Sequence, residues 1–245
     1  MRDLTGKRYW LIGASEGLGR ALAEHLSRMG VELILSARSA DRLQELAEAL
    51  PGKASAVAVD ISDTASVRAA AAEIGEIDGM VFLAGVYWPL KATEWDPDQV
   101  EMMCDINFTG AARCVGAVLP AMVARDSGHI VLTGSLSGFR GLPGASGYAP
   151  SKAGVMAMAE SMYADLRNTG VDVQVANPGF IKTRLTEKND FDMPFLMEPE
   201  EAAREMVALM MSDGFKRSFP SIFAAFFRLG QFLPDWAYYR IFAKG

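Results

Sequence analysis

A short apolar run, Tyr9 to Ile12, stops at Gly13-Ala14-Ser15-Glu16-Gly17-Leu18-Gly19 and gives way to a helical stripe at Leu18, Leu22, Leu26 and Met29. Strand, glycine turn and amphipathic helix in that order constrain this chain more than any other feature. Glycine belongs where a Cβ would block a tight turn, a close approach of backbone to a ligand, or helix–strand packing. The alternation then repeats. Val31 to Leu35, Ala56 to Val59, Met80 to Leu83, His129 to Thr133 and Val171 to Ala176 are short apolar runs. Between them lie helical spacings such as Leu43, Leu46 and Leu50, and an Ala- and Met-rich stretch from Pro150 to Leu166. The strand runs are apolar throughout rather than alternating, which marks strands buried on both faces. The expectation is an α/β chain with one doubly wound parallel sheet.

No Gly/Ser/Pro-rich linker or internal repeat interrupts the 245 residues, so one domain is expected over 1–214, followed by an extension over 215–245. A net charge of −6 argues against nucleic acid, whose binders need a basic footprint. Cys104, Cys114, His25 and His129 have no zinc spacing, so no metal site is expected. The start, charged residues followed at once by a strand pattern, does not read as a signal peptide, and no run reaches the ~18 consecutive apolar residues of a membrane span. A cytoplasmic location is the corresponding expectation.

The glycine loop stands at the first strand-to-helix turn, where a dinucleotide-binding protein sets a pyrophosphate against helix N–H groups. The plainer alternative is a glycine-rich turn. At the end of the second strand, Arg38 stands where a carboxylate is expected if the adenosine ribose carries free hydroxyls. A guanidinium can fork onto a 2′-phosphate or stack on adenine, which favours NADP(H) over NAD(H). Against this, Glu16 puts a carboxylate inside the loop, and Arg38 also fits an exposed strand end.

Tyr148 and Lys152 lie four residues apart, on one helical face. A phenol of pKa ~10 needs a neighbouring cation to trade protons near neutral pH. The pair also fits the start of a surface helix. Ser135 follows the fifth strand, at the strand ends where open α/β sheets build their sites. It is not a hydrolase nucleophile, because Thr133 occupies the upstream glycine position of G-x-S-x-G.

Taken together, these residues resemble the short-chain dehydrogenase/reductase (SDR) family over nearly the whole chain. Asp60 after the third strand, Ala84-Gly85 after the fourth, Asn107 in the fourth helix, and Pro178-Gly179 with Thr183 after the sixth agree in order and spacing. The resemblance implies a Rossmann-type domain of about seven strands that transfers a hydride between a nicotinamide and a carbonyl or alcohol carbon. It implies a catalytic set of Asn107, Ser135, Tyr148 and Lys152. Tyr148 would be the general acid and base, Ser135 would polarise the carbonyl, Lys152 would tune Tyr148 and hold the nicotinamide ribose, and Asn107 would support a relay water. Cofactor contacts are implied at Gly13, Ser15, Gly17, Leu18, Gly19, Arg38, Asp60, Ile61, Ala84, Gly85, Tyr148, Lys152, Pro178, Gly179, Ile181 and Thr183. Two departures stand out: Ile12 replaces a frequent Thr, and Phe82-Leu83 replace two Asn.

Phe180 to Leu196 would cap the substrate pocket, with Phe191, Met193, Phe195 and Leu196 as apolar candidates. Val86, Tyr87, Trp88 and Phe139 to Leu142 would form other walls. This lining favours an apolar carbonyl or alcohol substrate. The resemblance also suggests a homodimer or homotetramer through the helices around residues 110 and 150. The extension holds ten of the 23 aromatic residues, with Lys216, Arg217, Arg228, Arg240 and Lys244 against Asp235 alone. An edge strand near Phe219 and one or two helices are expected there. A substrate lid, an oligomer arm and a membrane contact all fit that composition. The alternatives to an NADP(H)-dependent carbonyl reductase or alcohol dehydrogenase are a non-catalytic NADP(H)-sensing protein and a membrane-surface enzyme acting on a lipid-like ketone.

Overall fold

The computed structural model describes residues 1–242, so Lys244 lies outside the described residues. Seven parallel strands form one sheet: β1 (Arg8–Ile12), β2 (Glu32–Ser36), β3 (Ala54–Ala56), β4 (Gly79–Phe82), β5 (Gly128–Thr133), β6 (Val171–Pro178) and β7 (Lys216–Phe219). Their spatial order is β3-β2-β1-β4-β5-β6-β7. The order reverses between β1 and β4, which opens a crevice at the strand C-termini, where such folds hold ligands.

Helices cover both faces. On one side α1 (Gly17–Arg28), α2 (Ala40–Ala49) and α7 (Pro199–Met210) bury Leu22, Leu26, Leu43, Leu46 and Met206 against Tyr9, Leu11, Leu33 and Val131. On the other side α3 (Thr64–Ile74), α5 (Gly110–Ala124) and α6 (Tyr148–Leu166) bury Val67, Cys114, Val118, Val155 and Ala159 against Trp10, Ile12, Ile34 and Phe82. Adjacent strand residues thus feed opposite cores, as the period of two requires. Helix α4 (Pro97–Cys104) runs through a π-turn, Asp105–Thr109, into α5. The combined helix is long and apolar enough to span a membrane, yet it is a sheet-covering helix here.

The third strand begins earlier than its apolar run suggested. Pairing with β2 sets the register at Leu33 with Ala54, and the ladder bonds continue beyond the regular strand, from Val57 N to Leu35 O and from Val59 N to Ala37 O. The boundary at 214/215 falls just ahead of β7, which pairs with β6 and completes the sheet. Outside the sheet lie α8 (Ser221–Gly230) and α9 (Asp235–Phe242).

Candidate active site

The glycine loop is built so that no side chain fits. A Cβ on Gly13 would sit 2.5 Å from the Ala84 backbone nitrogen, and one on Gly19 would sit 2.0 Å from the Gly13 carbonyl oxygen. Gly17, at φ +54°, lies under Thr183, whose methyl would be 2.8 Å from an added Cβ. Loop, β4 end and Thr183 therefore form one tight cradle at the point where the strand order reverses. Helix α1 starts at Gly17 without a side-chain cap from Glu16, so its first N–H groups keep their capacity for an anion. The cradle fits a dinucleotide pyrophosphate. Ser15 and Leu18 are half-buried beside it, Leu18 resting on the α1 side of the core.

Arg38 is exposed at the end of β2, and its charge helps Asp60 stay ionised. Asp60 is held below the usual carboxylate range mainly by hydrogen bonds from the Ser62 hydroxyl and N–H. Ile61 turns its side chain into the core under Gly110, and its carbonyl accepts from Arg113. Glu16 is not a lone carboxylate. Arg42 and Arg184 each donate to its Oε2 at 3.0 Å, which offsets the repulsion a carboxylate would exert on a phosphate. Sequence spacing gives no hint of either partner, because they arrive from α2 and from the segment after β6.

The departures at Ile12 and Phe82 are core positions, 1% and 0% exposed, and the Ile12 carbonyl accepts the N–H groups of both Leu83 and Ala84. Apolar side chains there keep the strand ends together without entering the cleft.

Tyr148 opens α6, and Lys152 follows one turn later on the same face. The Lys152 ammonium is 3% exposed, donates to the Thr133 carbonyl at 2.9 Å and lies 5.8 Å from the centre of the Tyr148 ring. Burial pushes Lys152 down to about 8. Burial likewise pushes the Tyr148 phenol up to about 12, while a hydrogen bond with Ser135 pulls the other way. The ammonium lies on the same side of α6 as the phenol but spends its hydrogen bond on Thr133, and desolvation is the largest effect on this phenol.

Ser135 caps the short 3-10 turn Leu136–Gly138. Its oxygen accepts from Ser137 N at 3.2 Å and Ser137 Oγ at 2.9 Å, which leaves its own hydrogen to point at Tyr148 or a carbonyl. Ser137 is a residue that sequence reading missed, since nothing in the local pattern separates it from an ordinary loop serine. Asn107 lies within the π-turn and is wholly buried. Its amide oxygen accepts from Val86 N at 2.7 Å, and its nitrogen donates to Val86 O at 2.9 Å and Ser151 Oγ at 3.0 Å. That side chain is fully engaged in holding the β4 loop against α6. π-Turns often mark functional positions because they re-aim the backbone.

The expected cap is partly latched. Tyr87 stands edge-on to Tyr148, with centroids 5.0 Å apart, and its hydroxyl donates to Asn189 at 2.9 Å. Lys188 donates to Tyr87 O at 2.8 Å and sits 4.2 Å over the Trp88 ring. Pro178 and Gly179 end β6, where Gly179 N donates to Phe219 O at 2.8 Å. Ile181 bridges to Met197, which sets the width of the cap. Of the apolar candidates, Phe191, Phe195 and Leu196 are about half exposed. Phe180 contacts Phe191 and Phe223, so the cap leans on α8. Phe139 packs into the core, and Arg140 turns away to hold the extension.

Comparison with known proteins agrees with this geometry. The profile of the short chain dehydrogenase family matches residues 7–193. An uncharacterized oxidoreductase of Myxococcus xanthus is 39% identical over 242 residues, covering 96% of each chain. One of Staphylococcus epidermidis is 33% identical, covering 80% of this chain and 87% of the relative. The crystal structure of a short-chain dehydrogenase from Streptomyces avermitilis superimposes with TM-score 0.84 at 25% identity, covering 97% of both chains. With a Rossmann-type sheet, a dinucleotide cradle and a Ser, Tyr and Lys constellation at the strand ends, this chain belongs to the short-chain dehydrogenase/reductase family, oxidoreductases that act with NAD(P).

Proposed function

We propose that the protein is an NADP(H)-dependent carbonyl reductase or alcohol dehydrogenase acting on an apolar small molecule, with Tyr148 as general acid and base. The observation that carries this reading is the Ser135 hydroxyl beside the Tyr148 phenol, with the buried Lys152 ammonium 5.8 Å from the Tyr148 ring centre, next to a glycine cradle suited to a dinucleotide. When bound, the nicotinamide supplies or accepts the hydride at the substrate carbon.

The chain's own residues do the rest. Ser135, its oxygen already satisfied by Ser137, donates to the carbonyl oxygen. Tyr148 gives that oxygen a proton in reduction and recovers it in oxidation. A phenol held at about 12 stays protonated through neutral pH, which suits the reductive direction in which the proton is donated. Lys152 holds positive charge beside the phenol and can reach a ribose hydroxyl past Gly85, where even a Cβ would sit 3.6 Å from its ammonium. Arg38 supports NADP(H), since it is an exposed guanidinium at the ribose end while the competing carboxylate of Glu16 is already bound by two arginines. Tyr87, Trp88 and Phe191 support an apolar substrate. Phe108 and Val123 on the π-turn and α5 and Tyr163 on α6 remain exposed, which supports pairing of subunits along those helices.

The test is NADPH oxidation with a panel of apolar ketones and aldehydes, wild type beside Tyr148→Phe. Turnover by the wild type alone is the expected result. Equal activity in both would remove Tyr148 from the mechanism.

A further inference from the structure

We infer that the outer face of α8 and α9 is a docking surface for an anionic lipid bilayer. The inner faces of these helices are packed: Phe223 of α8 lies 5.8 Å from Phe180 of the cap, and Phe226 and Phe227 of α8 lie 5.0 and 5.7 Å from Phe242 of α9. Ala224 and Tyr238 are buried. Arg140 holds α9 and the turn that leads into it to the body by donating to Leu233 O at 2.6 Å, pairing with Asp235 and lying 4.1 Å over the Tyr238 ring. The Tyr238 hydroxyl adds a bond to Gly141 O at 3.0 Å. The extension is therefore held in place without help from its outer side chains.

Those outer side chains are large and apolar. Ile222 is 73% exposed, Leu229 70%, Phe232 80% and Trp236 73%, and Tyr239 is half exposed. Ile222 and Leu229 share one face of α8 by helical spacing, and so many exposed apolar side chains on two packed helices mark an interaction surface. Charge decides the occupant. Lys216 and Arg217 are bound by Glu160 and Glu205, whereas Arg228 and Arg240 have no carboxylate partner among the described residues. The extension's single acid, Asp235, is taken by Arg140. A second copy brought face to face would thus offer no free carboxylate from its own extension to these arginines, and an anionic headgroup would. Aromatic and aliphatic side chains among arginines are the composition of an interfacial helix, with Trp236 and Tyr239 suited to the headgroup level. The remainder of the chain carries the acidic excess behind the overall −6, so an anionic bilayer attracts this corner and repels the body. Phe195 stacks on Phe223 at 5.4 Å, which links the docked face to the cap. The corollary, which rests on the proposed reductase reading, is that bilayer-dissolved ketones or alcohols enter beside the membrane.

The experiment is flotation of the full chain with vesicles of phosphatidylcholine containing 30% phosphatidylglycerol, and with pure phosphatidylcholine. The expected result is binding to the anionic vesicles, reduced at least tenfold by Phe232→Ser with Trp236→Ser. Arg228→Glu with Arg240→Glu should erase the preference for anionic lipid. Thermal shifts with NADPH equal to wild type would show that the variants are folded. Absence of flotation overturns the inference, as does equal flotation of the serine variant. Self-association in sedimentation equilibrium that the serine variant abolishes, without flotation, assigns the face to a second copy instead. Flotation by a chain that turns over no ketone keeps the docking surface and removes the reductase reading.

Discussion

The two ends of the sheet each carry a tyrosine, one buried and one half-buried, and they use it differently. At the strand N-termini Tyr9 is 1% exposed and shares a 2.6 Å hydrogen bond with His129 Nδ1. His129 Nε2 meets Gln174 Oε1 at 2.9 Å, and Gln174 donates to the carbonyls of Leu209, Ser212 and Gly214. Arg2 closes the network on Met210 O and Asp172. Every side chain there has its partners. At the C-termini two polar groups are left with spare capacity: Thr133 Oγ1 and Asn177 Oδ1 are buried without a partner among the described residues. Desolvation raises both phenols, so a shifted tyrosine alone does not mark a catalytic one. A cation does not mark it either, since Arg2 acts on Tyr9; what distinguishes Tyr148 is the Ser135 hydroxyl beside it, at the end of the sheet where the crevice opens. Saturated polar networks stabilise, whereas unsaturated ones are available to a ligand.

The sharpest way to break this comparison is to remove one hydroxyl at each end. Tyr148→Phe is expected to lower kcat by about a thousandfold or more, at the upper part of the range for general acid–base catalysis. Cofactor affinity, read by thermal shift, should stay within a few-fold. Retained activity would mean that the two tyrosines differ only in address. Arg38→Ala comes next, with NADPH affinity falling on the order of tenfold to a hundredfold, as expected for a lost charged hydrogen bond. NADH affinity should barely move, and equal losses would show that Arg38 does not read the 2′-phosphate. Tyr9→Phe should leave kcat nearly unchanged while costing about 1–3 kcal/mol of stability in urea unfolding, because His129 Nδ1 loses its buried partner.

The smallest effects lie in pH dependence. His129 is pushed from its ordinary 6.5 down to about 3 by burial first and Arg2 second. Its unfolded form therefore binds the extra proton, and its contribution to stability is lost as pH falls through about 6.5 toward 3. His129→Gln should flatten that acid limb. Lys152 is lowered from 10.5 to about 8, so its unfolded form holds more protons between those values and stability rises with pH across that window. Lys152→Met should remove that rise. Denaturant midpoints measured against pH check both, and unchanged slopes would sink the assignments.

Much of this was legible in the chain because it is periodic or local. Strand and helix alternation, glycines at the first turn and the one-turn spacing of Tyr148 and Lys152 are consequences of backbone geometry that a one-dimensional pattern can carry. β3 was legible only roughly: Ser55 breaks the apolar run ahead of Ala56, and pairing with β2 decides where the strand starts. The neutralising of Glu16 by Arg42 and Arg184, the Ser137 bond that aims Ser135, the engagement of Asn107 by Val86 and Ser151, and the clasp of Arg140 on the extension had no signature in the sequence. Apart from Ser137, each joins side chains from elements separated by long crossovers, and the partner is chosen by how the helices pack on the sheet. The sequence by itself determined the order of elements and the type of chemistry, because those depend on residue identity and short spacing. The tertiary structure alone decided which charges are neutralised and which hydroxyl is aimed. It also decided which apolar side chains the extension leaves outside, because these depend on distances that the chain closes only once it is folded.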